Sequence, residues 1–221
     1  ATITGIDNLT INSTVGLTGA YSVATTMDLG PIATPITVVS NLSALDGALT
    51  LDFDQAGSVY GTVNYTGGAN VDSIKLGTLN DTINSGAGND IITSGTGVNT
   101  INTGAGVDTI NMGTGVDIID AGAGNDIIKA GTADLLANDV IVGGDGNDTL
   151  EFEATGYTDE SVFSGLSGVE RIKGTAVNDT DQALPMNGNI DVTIIDASGV
   201  SDTIVTFKAG YINATTVELG G

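Results

Sequence analysis

Hydrophobic positions return with a period of nine over residues 67–152: Ile74, Ile83, Ile92, Ile101, Ile110, Ile119 and Ile128. Two residues before each stands an acid or an amide, at Asp72, Asp81, Asp90, Asn99, Asp108, Asp117 and Asp126. In one frame the copies read Ser85-Gly-Ala-Gly-Asn-Asp90-Ile-Ile-Thr, Thr103-Gly-Ala-Gly-Val-Asp108-Thr-Ile-Asn and Ala121-Gly-Ala-Gly-Asn-Asp126-Ile-Ile-Lys. The fullest is Gly143-Gly-Asp-Gly-Asn-Asp148-Thr-Leu-Glu. A period this strict marks a solenoid built from one small unit.

Each unit has two halves. Glycines pair at Gly86 and Gly88, Gly104 and Gly106, Gly113 and Gly115, Gly122 and Gly124, and Gly144 and Gly146. They predict tight turns, since glycine reaches backbone angles that a side chain forbids. The Asp-x-Ile-x half is too short for a helix and predicts a brief strand with its isoleucine inward. Two units make a coil of strand, turn, strand, turn, and coils stack at roughly 4.8 Å. The predicted fold is all-β: a parallel β-roll or β-solenoid with flanking irregular β-strand modules. Its divisions are residues 1–66, a strand module; 67–152, the roll; and 153–221, a capping or assembly module.

The acids then fall into two rows. Asp72, Asp90, Asp108 and Asp126 share one edge, and Asp81, Asn99 and Asp117 the other. Stacked carboxylates about 5 Å apart repel by roughly 3 kcal/mol per pair at an effective dielectric near 20. The repeat holds only Lys75 and Lys129 as counter-charge. A hard divalent cation supplies it instead, and turn carbonyls are the oxygen ligands that calcium prefers.

Composition agrees. Five basic residues stand against 27 acidic ones, for a net charge of −22. That balance argues against nucleic acid and anionic membranes as partners and favours cations. Only five of the 27 acids are Glu, and the short Asp side chain suits turns and calcium sites better than helical surfaces. With no Cys there are no disulfides, so calcium takes the stapling role in an extracellular setting. No apolar run of membrane-spanning length occurs. The chain opens at Ala1 without Met, as expected of a processed chain or a fragment.

The nonapeptides resemble the RTX family, the glycine- and aspartate-rich repeats of bacterial secreted proteins. The resemblance implies a parallel β-roll with calcium between same-edge turns. The Asp of each turn and the carbonyls of the glycine turns would hold it, from Gly86 and Gly88 through Gly113, Gly115, Gly122 and Gly124 to Gly144 and Gly146. It also implies type I secretion to the cell exterior or surface. This chain departs from the pattern in places. Position one is mostly Ser, Ala, Thr or Met; Asn70 and Leu79 replace turn glycines; Asn99 replaces an acid, so sites involving it are expected to be weak or empty. Residues 132–138 add four positions, after which Asp139 and Asp148 restore the spacing, Asp139 without its glycine turn. The metal ligands expected first are Asp90, Asp108, Asp126, Asp117 and Asp148.

The flanks carry strand-like phrases at Thr2-Ile-Thr, Leu9-Thr-Ile-Asn, Ile36-Thr-Val-Val, Ala48-Leu-Thr-Leu-Asp-Phe, Asp191-Val-Thr-Ile-Ile-Asp and Asp202-Thr-Ile-Val-Thr-Phe. They resemble irregular segments beside RTX repeats in bacterial surface-layer proteins. Residues 161–166 suit one helical turn. Without His or Cys no conventional nucleophile–base pair exists. Asp120, Glu151 and Glu153 lie outside the ligand columns and read as solvated surface, so no catalysis is expected. Outward Thr/Asn pairs at 82/84, 100/102 and 109/111 are reminiscent of ice-binding solenoids, but strand propensity accounts for them. Two functions follow as expectations: a secreted, calcium-rigidified structural protein that self-associates into a filament or lattice, or a carrier module of a larger secreted enzyme, toxin or adhesin.

Overall fold

A computed structural model describes residues 8–12, 37–41, 49–52, 62–131, 133–153, 160–175, 194–199 and 216–219. The phrases at residues 2–4 and 202–207 lie outside the described residues. Seventeen strands occur among those described. They are β1 (Asn8–Asn12), β2 (Thr37–Asn41), β3 (Leu49–Asp52), β4 (Val63–Thr66), β5 (Asp72–Lys75), β6 (Thr82–Asn84), β7 (Ile91–Thr93), β8 (Thr100–Asn102) and β9 (Thr109–Asn111). Then follow β10 (Ile118–Asp120), β11 (Ile127–Ala130), β12 (Val140–Val142), β13 (Thr149–Glu153), β14 (Leu166–Ser167), β15 (Arg171–Thr175), β16 (Ile194–Gly199) and β17 (Thr216–Leu219).

Consecutive strands within the repeat go to opposite walls. One sheet runs β1-β2-β4-β6-β8-β10-β12-β14, and the other β17-β16-β15-β13-β11-β9-β7-β5-β3. All pairs are parallel, and within the repeat residue i sits beside i+18, as Ile83 beside Ile101 and Ile92 beside Ile110. The molecule is a parallel β-solenoid, as the nine-residue period predicts. Strands from both flanks join the same two sheets.

Side chains alternate strictly: the acid, the aliphatic two places on and the residue two further are inside, and those between face out. That is the two-residue period of a strand with one buried face. Two aliphatic columns form the core. Ile74, Ile92, Ile110, Ile128, Leu150 and Ile172 line one wall; Tyr65, Ile83, Ile101, Ile119 and Ile141 line the other, all buried. Burying each such side chain contributes about 1.5–3 kcal/mol.

Tight stacking explains the glycines. Gly104 (φ 92°) and Gly106 (φ 148°) occupy the left-handed region. A Cβ on either would collide with the carbonyl of Gly86 or Gly88 on the coil beneath.

The four extra residues are absorbed as a loop after β11. Its Leu135 is buried in the core, and pairing resumes with Ile127 beside Thr149. The expected helical turn is a 3-10 turn at Glu160–Phe163. It ends earlier than the sequence suggests because Leu166 is drawn into β14 beside Ile141. Phe163 from that turn packs edge-on to Phe152, with ring centroids 5.4 Å apart and planes at 75°. No helix among the described residues is long and apolar enough to cross a membrane.

Ile110→Ala should destabilise the folded protein by about 2–5 kcal/mol through the cavity it leaves. Ile91→Ser, at a half-exposed outer position, should change stability by less than about 1 kcal/mol. Thermal melts of the two variants check the contrast; equal losses would contradict the inward and outward assignment.

Candidate metal centre

The acid or amide of each unit is buried just before its strand, or at the strand's first residue in the case of Asp72. On one edge the turns of Gly86 and Gly88, Gly104 and Gly106, Gly122 and Gly124, and Gly144 and Gly146 precede Asp90, Asp108, Asp126 and Asp148. On the other, Gly95 and Gly97 precede Asn99, and Gly113 and Gly115 precede Asp117. Asp72, Asp81, Asp90, Asn99, Asp108, Asp117, Asp126, Asp139 and Asp148 are all buried.

One hydrogen bond repeats along each row, from an amide to the carboxylate one coil further on. The amides of Asp72, Asp90, Asp108 and Asp126 donate to Oδ1 of Asp90, Asp108, Asp126 and Asp148 at 2.8, 2.7, 2.8 and 2.8 Å. On the other edge the amides of Val63, Asp81, Asn99 and Asp117 donate to Asp81, Asn99, Asp117 and Asp139 at 2.7, 2.9, 2.9 and 2.8 Å. The register that pairs the strands therefore also fixes each carboxyl group by one oxygen.

The second oxygen separates the residues. Oδ2 of Asp90, Asp108, Asp117, Asp126 and Asp148 is buried with no hydrogen-bond partner. These are the five residues the sequence places first. Asp139 differs, because the Leu136 amide from the inserted loop donates to its Oδ2 at 2.6 Å. Asn99 turns its amide nitrogen to the Ser94 carbonyl at 3.1 Å. Asp72 accepts the Tyr65 hydroxyl on Oδ2 at 2.8 Å.

The turn glycines expected as ligands have stacking duties of their own. The first glycine of a turn offers its carbonyl upward: those of Gly86, Gly104 and Gly122 accept the amides of Ala105, Ala123 and Asp145 at 2.9, 2.7 and 2.8 Å. The second offers its amide: Gly88, Gly106 and Gly124 donate to the carbonyls of Ala105, Ala123 and Asp145, each at 2.8 Å. Gly115 (φ 136°), Gly124 (φ 151°) and Gly146 (φ 148°) sit in the left-handed region. There they lie against the carbonyls of Gly97, Gly106 and Gly124 on the coil beneath. Gly113 and Gly144 lie likewise against the carbonyls of Gly95 and Gly122. What the geometry gives Gly115, Gly124 and Gly146 is therefore close backbone approach, whereas the carboxylates carry the unmatched oxygens. A ligand role for these glycines would use their carbonyls alone, since they have no side chain to offer.

Four of the five orphan oxygens thus lie on consecutive coils of one edge, with Asp117 alone opposite. Orphaned buried oxygens are rare in folded proteins, and a row of them fits a cation. No three acid side chains converge among the described residues, so the carboxylates need other oxygens to complete a hard-cation shell. The glycine turns bring backbone carbonyls to the same edge. Carboxylate plus carbonyl is the donor set of calcium.

The electrostatics point the same way. Burial raises the pKa of Asp81, Asp117 and Asp126 to about 6, against the lowering effect of the amide bonds. It also raises Asp90, Asp108, Asp139 and Asp148. Neighbouring carboxylates raise Asp126 further, through Asp108 and Asp148.

Sequence reasoning missed Tyr65 and Glu170. Tyr65 stands nine before Ile74, in the aliphatic column, where its ring reads as mere bulk. Glu170 stands two before Ile172, as each Asp stands before its Ile, and its Oε2 accepts the Asp148 amide at 2.7 Å. The position-one hydroxyls also matter: Ser85 donates to the Thr103 carbonyl at 3.0 Å and Thr103 to the Ala121 carbonyl at 2.8 Å. They tie successive coils behind the acids.

A family profile described as the RTX calcium-binding nonapeptide repeat matches four times, over residues 66–101, 76–110, 112–134 and 136–154. No curated protein and no solved structure matches the chain.

A carboxyl group with a raised folded pKa binds its proton more tightly in the fold than in the unfolded chain. Its contribution therefore favours the fold at low pH and is lost as pH rises from about 4 to about 6. Chelator-treated protein should gain strand signal by circular dichroism when taken from pH 7 to pH 5. Strand content that falls over this interval would contradict the buried, cation-free carboxyl rows.

Proposed function

Because the chain carries RTX calcium-binding nonapeptide repeats, we propose that it is a secreted bacterial structural protein, of surface-layer or extracellular-filament type, rigidified by calcium. The observation that carries the calcium reading is the set of five orphaned oxygens on Asp90, Asp108, Asp117, Asp126 and Asp148. Those five residues and the carbonyls of their glycine turns would hold the ions. When bound, calcium supplies the positive charge that neighbouring buried carboxylates require. The chain's own part is to fix each carboxyl by one oxygen and leave the other unbonded.

Folding is then conditional on the cation. In a low-calcium cytoplasm the carboxylates repel and the roll stays open, whereas outside the cell each occupied site adds about 2.7 kcal/mol when calcium exceeds its dissociation constant a hundredfold. This suits export followed by folding at the cell exterior.

The structural half of the reading is supported by the outer walls. They carry Thr, Asn and β-branched residues among a few charged ones, with Ile118 and Val140 adjacent in register and 48% and 42% exposed. Exposed aliphatic side chains on such a wall can pack against another copy. A carrier module of a larger protein would share the calcium chemistry without needing the assembly.

Calcium added to chelated protein should restore the parallel-β spectrum and raise the thermal midpoint. Asp108→Asn should lower the number of ions bound and weaken the transition. Electron microscopy of the calcium-loaded protein should show ordered polymers that chelation disperses. A strictly monomeric protein at every calcium level would remove the structural reading and favour the carrier module.

A further inference from the structure

The acid row of the longer edge begins with a residue unlike its successors. Asp72 has the buried position, the aliphatic two places on at Ile74, and the shared register of Asp90. Its Oδ2, however, accepts the hydroxyl of Tyr65 at 2.8 Å, whereas Oδ2 of Asp90, Asp108, Asp126 and Asp148 accepts nothing. Tyr65 belongs to β4 on the opposite wall and is buried with its ring in the aliphatic column, beside Ile83 in register. An isoleucine there has no polar atom with which to cross the coil. The phenol spans the core and delivers a donor to the oxygen that faces inward.

We infer that Tyr65 takes the place of a cation at Asp72, closing that coil without metal and starting the calcium row of this edge at Asp90. The inference rests on the calcium reading above and adds where loading begins. One observation besides the hydrogen bond supports it. The turn before Asp72 lacks the second glycine, with Asn70 in its place. The side of this oxygen that is bare on the later coils is therefore taken by the phenol. A donor hydrogen directed at Oδ2 also occupies the direction from which an ion would approach. Asp72 is a positioning residue that anchors the first coil, and Tyr65 is its partner.

The test counts ions on the full chain by equilibrium dialysis with radioactive calcium, beside a thermal melt of each sample. Asp72→Asn should bind as many ions as the wild type, because the amide oxygen still accepts the phenol. Asp108→Asn should bind fewer. Tyr65→Phe should bind no fewer ions than the wild type, yet melt lower by roughly 5 °C even at saturating calcium, the loss expected of one buried hydrogen bond to a charged group. Loss of ions by Asp72→Asn to the same extent as by Asp108→Asn overturns the inference and makes Asp72 an ordinary ligand. An unchanged midpoint in Tyr65→Phe with no ion gained overturns it as well. A wild type that binds no calcium instead removes the reading on which the inference rests, and the wild-type count alone distinguishes that failure. Where Tyr65→Phe does not fold, the Asp72→Asn count still decides.

Discussion

The structure depends on a carboxyl group held by one oxygen and left bare at the other, repeated on successive coils. Removing an ionised carboxylate from water costs several kcal/mol even after relaxation. The amide bond to Oδ1 returns about 1.5–3 kcal/mol, and the isoleucine two places on contributes a similar amount. These gains already serve to offset the ordering of the chain. Five buried anions in two rows, repelling their neighbours, therefore tip the balance against the fold unless they are protonated or neutralised. Below about pH 6 protonation relieves part of it, as the raised Asp117 and Asp126 imply. At neutral pH the relief has to be a cation, which makes folding a response to the medium.

The two edges share one backbone geometry but differ in chemistry. On the longer row every coil from Asp90 to Asp148 offers the same bare oxygen. On the other, an amide at Asn99 satisfies itself on the Ser94 carbonyl, and the inserted loop brings the Leu136 amide onto Asp139. Asp117 is left between two neighbours whose second polar atom already has a partner. An insertion that a sequence alignment would treat as a mere interruption thus satisfies a carboxylate oxygen by supplying a donor. The edge with uninterrupted turns is the one whose demand for counter-charge is cumulative.

This pattern also explains what could be read in the chain beforehand. In a solenoid the surroundings of a residue are set by its place in the nine and by copies of itself at i±18. Periodicity therefore contains the tertiary contacts as well as the strands, and Ile92 or Asp108 could be placed from spacing alone. The bare oxygens of the five expected residues follow the same logic, since each sits in a full glycine turn. The glycines themselves were legible as turns, but not the division of labour within each pair. Which glycine gives a carbonyl and which an amide to the next coil depends on the stacked backbone, as Gly122 and Gly124 show against Asp145. Contacts that break the period were not legible. Tyr65 reaches Asp72 across the coil from the opposite wall, and Leu136 reaches Asp139 within a loop that has no counterpart. Glu170 lies beyond four further residues that shift its register to i+22. Its acid-x-aliphatic phrase carried the signal, but the longer side chain and the lost period concealed it. At residues 161–166 local propensity suggested one turn, and the open edge of β12 took Leu166 instead.

Why the chain does not carry its own counter-charge follows from the alternation of a strand. Within each unit the acid and the aliphatic point inward, and the positions flanking the aliphatic point outward. Lysine enters the repeat only at such an outer position. Lys129 is exposed on β11, and on β15 Lys173 meets Glu151 at 2.8 Å in a part-exposed pair. Such surface pairs contribute at most about 1 kcal/mol. An inward lysine would have to replace an isoleucine or the mostly small, buried residue two places beyond it, at the expense of the apolar column and of the close stacking the glycines permit. A shift of one residue in register would turn every acid outward but every isoleucine with it. The repeat therefore cannot both keep its core and neutralise its acids from within. A small mobile ion, which needs no place in the chain, resolves that conflict without changing the register.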